Sequence, residues 1–400
     1  MKIVFVAMSN SIHTARWIGQ IAGEGWEVHL FPSQDFGATH AQLRNVVVHH
    51  SVYGRQDRLD HSTRLRGIGV GSRMLAYGAR LLLGRFFPAY RASRLARLIR
   101  RVRPDVVHSL EFQAAGYLTL EAKKLLDGRF PKWIATNWGS DISLFGRLPE
   151  HRERIRQVLA ECDYYSCECE RDVALARGHG LRGKVLPVRP NGGGFDLAQA
   201  RSLRAPGAPA ARRLIMLKGY QGWAGRALVG LRALERCADA LAGYAIHIYS
   251  ASEEVKLAAQ LFSANTGIET AIVPQGTPHR EVLALHGRAR ISIGLSIGDA
   301  ISTSLLEALL MGSFPIQSCT ACADEWVVDG RTALLVPPED PEVVETAIRR
   351  ALADDALVDR AAEENWATAE TRLNRDVLSP QAVALYRQVA GESRASLASD

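Results

Sequence analysis

The stretch SIGDAISTSLLEALLMGSFPIQS, residues 296–318, has a helix-then-strand pattern from which the fold class can be predicted. Residues 305–311 are apolar apart from one glutamate and end at Gly312, which predicts a short buried helix. The segment FPIQS that follows predicts a strand, and a helix leading directly into a strand is the repeat of a parallel sheet. The hydroxyl side chains expected to cap this helix are those of Ser302, Thr303 and Ser304.

The same alternation of apolar runs and helical segments continues on both sides of this stretch. One series begins with KIVFVAM at the start of the chain, and a second includes LIMLK, YAIHIYS and ARISIGLS. Repeated strand and helix units predict parallel sheets covered on both faces. We therefore expect an α/β fold of two Rossmann-like, doubly wound domains that face each other across a cleft.

Composition predicts where the two domains meet. The segment 203–213 is rich in proline, glycine and alanine, as linkers are. The expected N-terminal domain covers residues 1–197, the linker residues 198–211, and the C-terminal domain residues 212–375.

The overall composition is that of a soluble globular protein. The chain has 400 residues, of which 47% are hydrophobic and 23% charged. Residues 1–8 form a short apolar run that contains Lys2. Because the run is too short for a signal peptide or a membrane span, we expect neither. We expect a cytoplasmic protein.

The net charge of +7 is unevenly distributed. Residues 55–103 contain thirteen arginines and two acids, Asp57 and Asp60. This cluster has two interpretations, a solvated helix face or a surface that docks on anionic lipid at the inner face of the cytoplasmic membrane. Binding to nucleic acid is not expected, because the nearby aromatic residues lack the spacing of a base-stacking module.

Two carboxylates flank the start of the predicted helix. Asp299 precedes it and Glu307 lies on it. A helix N-terminus favours phosphate, so a carboxylate on either side predicts a ligand with hydroxyls at both ends and phosphate between them. The glycine fingerprint of dinucleotide-binding proteins and the Walker A pattern are both absent from the sequence.

With these residues in place, the chain resembles retaining glycosyltransferases of the GT-B fold, in the large family 4 group. Asp299 and Glu307 match the family's E-x7-E motif, and Lys218 with Gly219 matches its KG motif. Further similar segments are DVVH, NWGSD, PNGGGFD and DGRTALLVPPEDPEVV. The resemblance implies that residues 376–400 form a helix crossing back to the N-terminal domain, followed by a tail.

The resemblance also implies the reaction. The enzyme would move a sugar from a nucleoside diphosphate sugar, with a UDP-sugar favoured over a GDP-sugar, to a hydroxyl of a carbohydrate or lipid-linked acceptor. The anomeric configuration would be retained, and the pathway would be bacterial surface polysaccharide or glycolipid synthesis. Neither a cofactor nor a metal is expected.

By the same resemblance, Glu307 binds the ribose hydroxyls and Asp299, usually Glu in the family, binds the donor sugar. Lys218 and Arg226 are expected on the diphosphate, although the spacing of the basic motif is altered here. The other donor-binding residues are Gly219, Ser302, Thr303 and Ser304.

On the acceptor side the expected residues are His13, Trp138 and Asp141. Trp138 stands where family members commonly have His, and it either stacks on a sugar or belongs to the core. Asp141 either orients an acceptor hydroxyl or caps the turn after Gly139. Two other functions stay open: a nucleotide-sugar-binding protein without turnover, and a GT-B epimerase or phosphorylase.

Overall fold

A computed structural model describes residues 1–56, 59–126 and 130–398, with backbone alone for residues 393–398. Asp57 and the last two residues of the predicted tail therefore lie outside the described residues. The chain forms two compact units. Unit 1 consists of Met1–Gly193 and Asp376–Asp400, and unit 2 of Gly194–Arg375.

Unit 1 is built on a parallel sheet with strand order β4-β3-β2-β1-β5-β6-β7-β8. Its elements in chain order are β1 (Lys2–Ala7), α1 (Ile12–Gly19), β2 (Glu27–Pro32), β3 (Val47–Gly54), β4 (Arg64–Val70), α2 (Arg73–Phe86), α3 (Tyr90–Val102), β5 (Val106–Leu110), α4 (Tyr117–Lys124), β6 (Lys132–Thr136), α5 (Pro149–Glu161), β7 (Tyr164–Ser166), α6 (Glu170–Gly178) and β8 (Lys184–Val185).

Unit 2 is built on a second parallel sheet with strand order β11-β10-β9-β12-β13-β14. Its elements are α7 (Leu197–Leu203), β9 (Leu214–Lys218), α8 (Ala227–Arg236), β10 (Ala245–Tyr249), α9 (Glu253–Thr266), β11 (Glu269–Ile272), α10 (His279–Arg288), β12 (Ile291–Gly294), α11 (Thr303–Met311), β13 (Phe314–Ser318), β14 (Leu334–Val336), α12 (Pro341–Ala353) and α13 (Asp355–Arg372). The last helix, α14 (Arg375–Ala398), belongs to unit 1 from Asp376 onwards.

The predicted α/β class with two Rossmann-like domains is confirmed by these two sheets. Their central strands are buried along their length, as β5 and β13 show, because helices cover both faces. The predicted helix before β13 is also confirmed: α11 ends at Met311, and Gly312 takes the left-handed conformation with φ 72°.

The predicted linker, residues 198–211, is structured and lies in unit 2. Helix α7 occupies its first part, and the Ala205 N–H donates to Gly287 O at 3.0 Å. Arg201 and Arg204 both lie over the ring of Trp366, at 4.8 and 4.9 Å from its centroid. The unit boundary therefore falls earlier, between Gly193 and Gly194, because these contacts hold the segment against α13.

Both sheets place loops for ligand binding at a topological switch point. In unit 2 the chain leaves β9 and β12, which are neighbours, toward opposite halves of the sheet. In unit 1 the strands β1 and β5 have the same relation. Ligands of open α/β sheets bind in the crevice at the carboxyl ends of such strands.

A chain of buried hydrogen bonds attaches α14 to the sheet of unit 1. Trp17 Nε1–H donates to the Tyr386 hydroxyl at 2.7 Å, and that hydroxyl lies 2.6 Å from His108 Nδ1. His108 Nε2 lies 2.6 Å from Thr136 Oγ1. Burial holds the pKa of His108 well below its ordinary value, so the neutral ring accepts at Nδ1 and donates at Nε2.

Within the described part of the chain, none of the helices is both long enough and apolar enough to cross a bilayer.

Replacing Tyr386 with Phe is expected to destabilise unit 1. The change leaves the buried Trp17 N–H and His108 Nδ1 without their partner, which costs about 1–3 kcal/mol of unfolding free energy. Urea unfolding measures this cost. The control is Tyr77→Phe at an exposed position, expected to change stability by less than about 0.5 kcal/mol. Equal effects of the two variants would contradict the prediction.

Candidate functional site

The donor-side candidate residues lie on the loops that follow β9 and β12. Lys218 is the last residue of β9, and Ser302 occupies the N-cap position of α11. Lys218 Nζ donates to Ser302 Oγ at 3.3 Å, and Ser302 Oγ lies 2.6 Å from Ser304 Oγ. A lysine ammonium and the positive end of α11 therefore lie together at the switch point.

The Ser302 hydroxyl has a different role from the one expected. It contacts Lys218 and Ser304, instead of capping the backbone of α11 within the described part of the chain. Thr303 begins α11 and is half-buried. The hydroxyls thus orient the lysine ammonium toward the helix N-terminus.

Gly219 brings two loops into close contact. Its N–H donates to Tyr249 O at 2.7 Å, and its carbonyl accepts from Ser252 N. A Cβ here would lie 2.7 Å from Ala251 Cα and 2.7 Å from Ile248 Cγ2. Only glycine fits without a backbone shift, so the loop after β9 can lie directly against the loop after β10.

Glu307 is buried on α11, hydrogen-bonded to one histidine of α10 and near a second. His279 Nε2 lies 2.6 Å from Glu307 Oε1, and His286 Nε2 lies 3.8 Å from Oε2. Burial lowers the pKa of His286 to about 4, so this ring is neutral near pH 7. Its Nδ1 lies 2.8 Å from Ser292 Oγ.

The charges of Glu307 and Asp299 affect the pKa values of two nearby tyrosines. Burial, and then the charge of Glu307, raise the pKa of Tyr249. Burial, and then the charge of Asp299, raise the pKa of Tyr220. Asp299 itself is half-buried in the loop after β12, where its Oδ1 accepts from Ala300 N at 2.9 Å.

Arg226 is oriented by a different loop. It occupies the N-cap position of α8, and its Nε donates to Glu339 Oε1 at 3.0 Å. Its Nη1 donates to Gly225 O at 2.8 Å. Lys218, Ser302 and Ser304 are joined by hydrogen bonds, whereas the bonds of Arg226 are made to Glu339 and to its own loop.

The three acceptor-side candidates meet in unit 1 although they are far apart in sequence. The rings of His13 and Trp138 lie 5.7 Å apart in an edge-on arrangement. Asp141 Oδ2 accepts from Trp138 N and from Phe112 N, both at 2.8 Å. His13 is exposed, Trp138 is half-buried and Asp141 is buried. The Asp141 carboxylate therefore fixes the backbone that carries Trp138.

Glu111, which the sequence analysis did not select, lies beside Asp141. It follows β5 with φ 78°, a conformation that costs a residue other than glycine about 1–3 kcal/mol. Its carboxylate accepts from the N–H groups of Ala114 and Ala115 in a π-helical turn. Burial raises the pKa of Glu111 to about 7. Burial first, and then the Glu111 charge, raise the pKa of Asp141.

His279 and His286 were also missed, although the sequence holds a signal for them. They are seven residues apart, which is two helical turns, so both lie on the same side of α10. For Glu111 the sequence holds no comparable signal, since a positive φ at a glutamate is not readable from neighbouring residues.

Two family profiles match segments that lie in different units. Residues 86–164 match the family described as glycosyl transferase 4-like, and residues 239–367 match glycosyl transferases group 1. Together the matches span just over half of the chain. The chain belongs to the group 1 glycosyltransferases of the GT-B fold.

Solved structures share the fold of this glycosyltransferase at low sequence identity. Sucrose-phosphate synthase from Thermosynechococcus elongatus is 17% identical, with 98% of this chain and 100% of that chain covered and a TM-score of 0.71. Trehalose 6-phosphate synthase from Burkholderia multivorans is 14% identical, with 98% and 99% covered and a TM-score of 0.69. Anabaena HepE in complex with UDP-glucose is 12% identical, with 97% and 100% covered and a TM-score of 0.68. Among curated proteins, none matches the sequence significantly.

Replacing Asp141 with Asn is expected to make the glycosyltransferase more stable at alkaline pH. Glu111 has an ordinary pKa of 4.5 and a folded pKa of about 7, so the wild type loses stability as the pH rises between these values. Burial and the Glu111 charge raise the pKa of Asp141 as well, so ionising Asp141 costs further stability as the pH rises. Asparagine keeps the oxygen that accepts from Trp138 and Phe112 but does not ionise, so this second loss is removed.

Thermal unfolding at pH 5 and pH 8 measures the effect, with an expected gain of ~2–4 °C at the higher pH relative to the lower. Glu254→Gln on α9, at an exposed position, is the control and is expected to show the same offset at both pH values. An Asp141→Asn offset that does not change with pH would contradict the raised pKa of Asp141.

Proposed function

We propose that the enzyme transfers a sugar from a nucleoside diphosphate sugar to an acceptor hydroxyl with retention of the anomeric configuration. The observation that carries the proposal is the joint placement of Glu307 and Lys218 on either side of the first turn of α11. An ionised carboxylate suits the two hydroxyls of a ribose, and the ammonium with the helix N-terminus suits a diphosphate.

A UDP-sugar is the proposed donor. Anabaena HepE has been crystallised with UDP and with UDP-glucose, and an Escherichia coli structural neighbour with UDP-2-fluoro glucose. These ligands belong to those proteins and support the choice of nucleotide by analogy of fold. Asp299 is proposed to bind hydroxyls of the transferred sugar.

In the proposed step the bond between the anomeric carbon and the phosphate oxygen breaks, and a bond from the acceptor oxygen forms on the same side. The leaving diphosphate takes the proton of the acceptor hydroxyl. Lys218, with Arg226 as a second cation, stabilises the charge that develops on the diphosphate, so no metal is required. His13, Trp138 and Asp141 are proposed to form the acceptor side, with Asp141 acting through the Trp138 backbone.

The proposed pathway is bacterial surface polysaccharide or glycolipid synthesis in the cytoplasm, with a carbohydrate or lipid-linked acceptor. We also propose a peripheral association with the anionic inner face of the membrane, because arginines are concentrated in unit 1.

Replacing Glu307 with Ala is expected to weaken UDP binding by about 2–3 kcal/mol, because hydrogen bonds from the ribose hydroxyls to a charged acceptor are lost. Titration calorimetry with UDP measures the change. Glu254→Ala on α9, at an exposed position, is the control and should bind UDP as the wild type does. An unchanged UDP affinity in Glu307→Ala would exclude Glu307 as the ribose ligand.

A chelator is expected to leave turnover unchanged, because Lys218 and the N-terminus of α11 supply the positive charge at the diphosphate. Hydrolysis of a UDP-sugar by the purified enzyme, followed with and without EDTA, gives the measurement. Loss of turnover in EDTA that magnesium or manganese restores would contradict the metal-independent mechanism.

A further inference from the structure

Helix α2 exposes the side that a surface helix normally buries. Of its fourteen residues only Ala76 is buried. Met74 is 84% exposed, Leu75 and Phe86 68% and Leu82 60%. We call the exposed apolar side of this helix the outer face of α2, and its residues are Met74, Leu75, Tyr77, Leu81, Leu82 and Phe86.

The outer face is continuous along the helix. Met74, Tyr77 and Leu81 form one row at spacings of three and four residues, and Leu75, Leu82 and Phe86 form an adjacent row at spacings of seven and four. A soluble monomer rarely exposes so many large apolar side chains together. Such a face is typical of a surface that binds a partner.

The opposite side of α2 is fixed to the sheet by polar contacts. Arg80 Nη1 donates to Val52 O at 2.8 Å, and Arg73 Nε donates to Arg55 O at 3.2 Å. A Cβ on Gly54 would lie 2.8 Å from Arg73 Cα, so β3 and α2 approach closely at this point. These contacts hold the outer face toward solvent.

The charges on α2 and on the chain segments next to it in sequence are of one sign. Residues 61–104 contain eleven arginines and neither aspartate nor glutamate. Arg85 is exposed on α2 itself, and Arg64 and Arg66 are exposed on the neighbouring strand β4. A second copy of the chain bound by a twofold axis would set this basic surface against itself, whereas an anionic surface complements it.

The arginines of α3 contribute less than their spacing suggests. Arg91 donates to Pro32 O, Arg94 to His50 O and Arg97 Nε to Ser93 O, so three of its five arginines bind backbone carbonyls of unit 1. The apolar side of α3 is buried, with Leu95 and Ile99 in the core. Helix α3 can add charge near a membrane, but α2 offers the apolar surface.

We propose that α2 is an interfacial membrane helix, whose outer face enters the headgroup and acyl boundary of an anionic leaflet while the surrounding arginines contact lipid phosphates. The proposal rests on the peripheral association proposed above and assigns it to one element. Membrane binding by α2 would keep unit 1, where the acceptor-side candidates lie, at the surface that carries lipid-linked substrates.

Co-sedimentation of the full chain with vesicles tests the proposal. The vesicles contain phosphatidylglycerol in phosphatidylcholine, or phosphatidylcholine alone. We expect binding to the anionic vesicles at low salt, much weaker binding to the neutral ones, and loss of binding at about 1 M salt, where the Debye length is about 3 Å. Absence of binding to anionic vesicles at low salt would overturn the proposal.

The double variant Leu75→Ser with Leu82→Ser changes two exposed leucines of the outer face and is expected to lower partitioning by about tenfold or more. The matched control is Leu257→Ser with Leu261→Ser on α9, two exposed leucines of unit 2, expected to leave partitioning unchanged. Equal partitioning of the two variants would overturn the assignment to α2.

Two further measurements distinguish membrane binding from dimer formation and from a failure of the proposed function. Sedimentation velocity that shows a dimer abolished by Leu75→Ser with Leu82→Ser would mean that a second copy covers the face, which also overturns the proposal. Stabilisation by UDP in a thermal shift assay is expected to be the same in all variants. Failure of vesicle binding with retained UDP binding would therefore leave the proposed glycosyl transfer intact.

Discussion

The buried carboxylate of Glu307 is the group on which the arrangement of unit 2 depends. A carboxylate inside an apolar helix costs several kcal/mol unless it is hydrogen-bonded, and α11 supplies mainly leucine and alanine around it. The compensating hydrogen bond comes from α10, where His279 Nε2 lies 2.6 Å from Glu307 Oε1. The neutral ring of His286 lies beside the second oxygen, at 3.8 Å. His286 is fixed in turn by Ser292 of β12. Polar contacts as well as packing therefore set α10 against α11.

Unit 1 buries carboxylates by a different means at its own switch point. Glu111 and Asp141 are satisfied by backbone N–H groups, and their like charges raise the pKa of Asp141 in addition to burial. Glu111 adopts a positive φ, and this strained backbone conformation directs its side chain to the turn that follows. Such an arrangement fixes the loops that carry the proposed acceptor-side residues.

The predictable features are those set by local pattern. The apolar run that ends at Gly312 predicted α11, and the placement of Lys218 at the end of β9 followed from the LIMLK run. The contact of His279 with Glu307 joins residues 28 positions apart and depends on helix packing. The linker predicted at residues 198–211 was wrong. The segment has the alanine and proline content of a linker, but Arg201 and Arg204 pack on Trp366.

The direction in which an amphipathic helix faces is likewise set by tertiary structure. Helices α2 and α3 both combine arginines with apolar residues, yet α3 covers the core and α2 does not. Strand β4 lies at the edge of the sheet, and the helix that follows it packs on β3 and β4. Arg64 and Arg66 on this strand oppose pairing with a strand of another chain. The edge strand is thus protected against pairing with another strand. The apolar outer face of α2 beside it stays exposed, as binding to the proposed lipid leaflet requires.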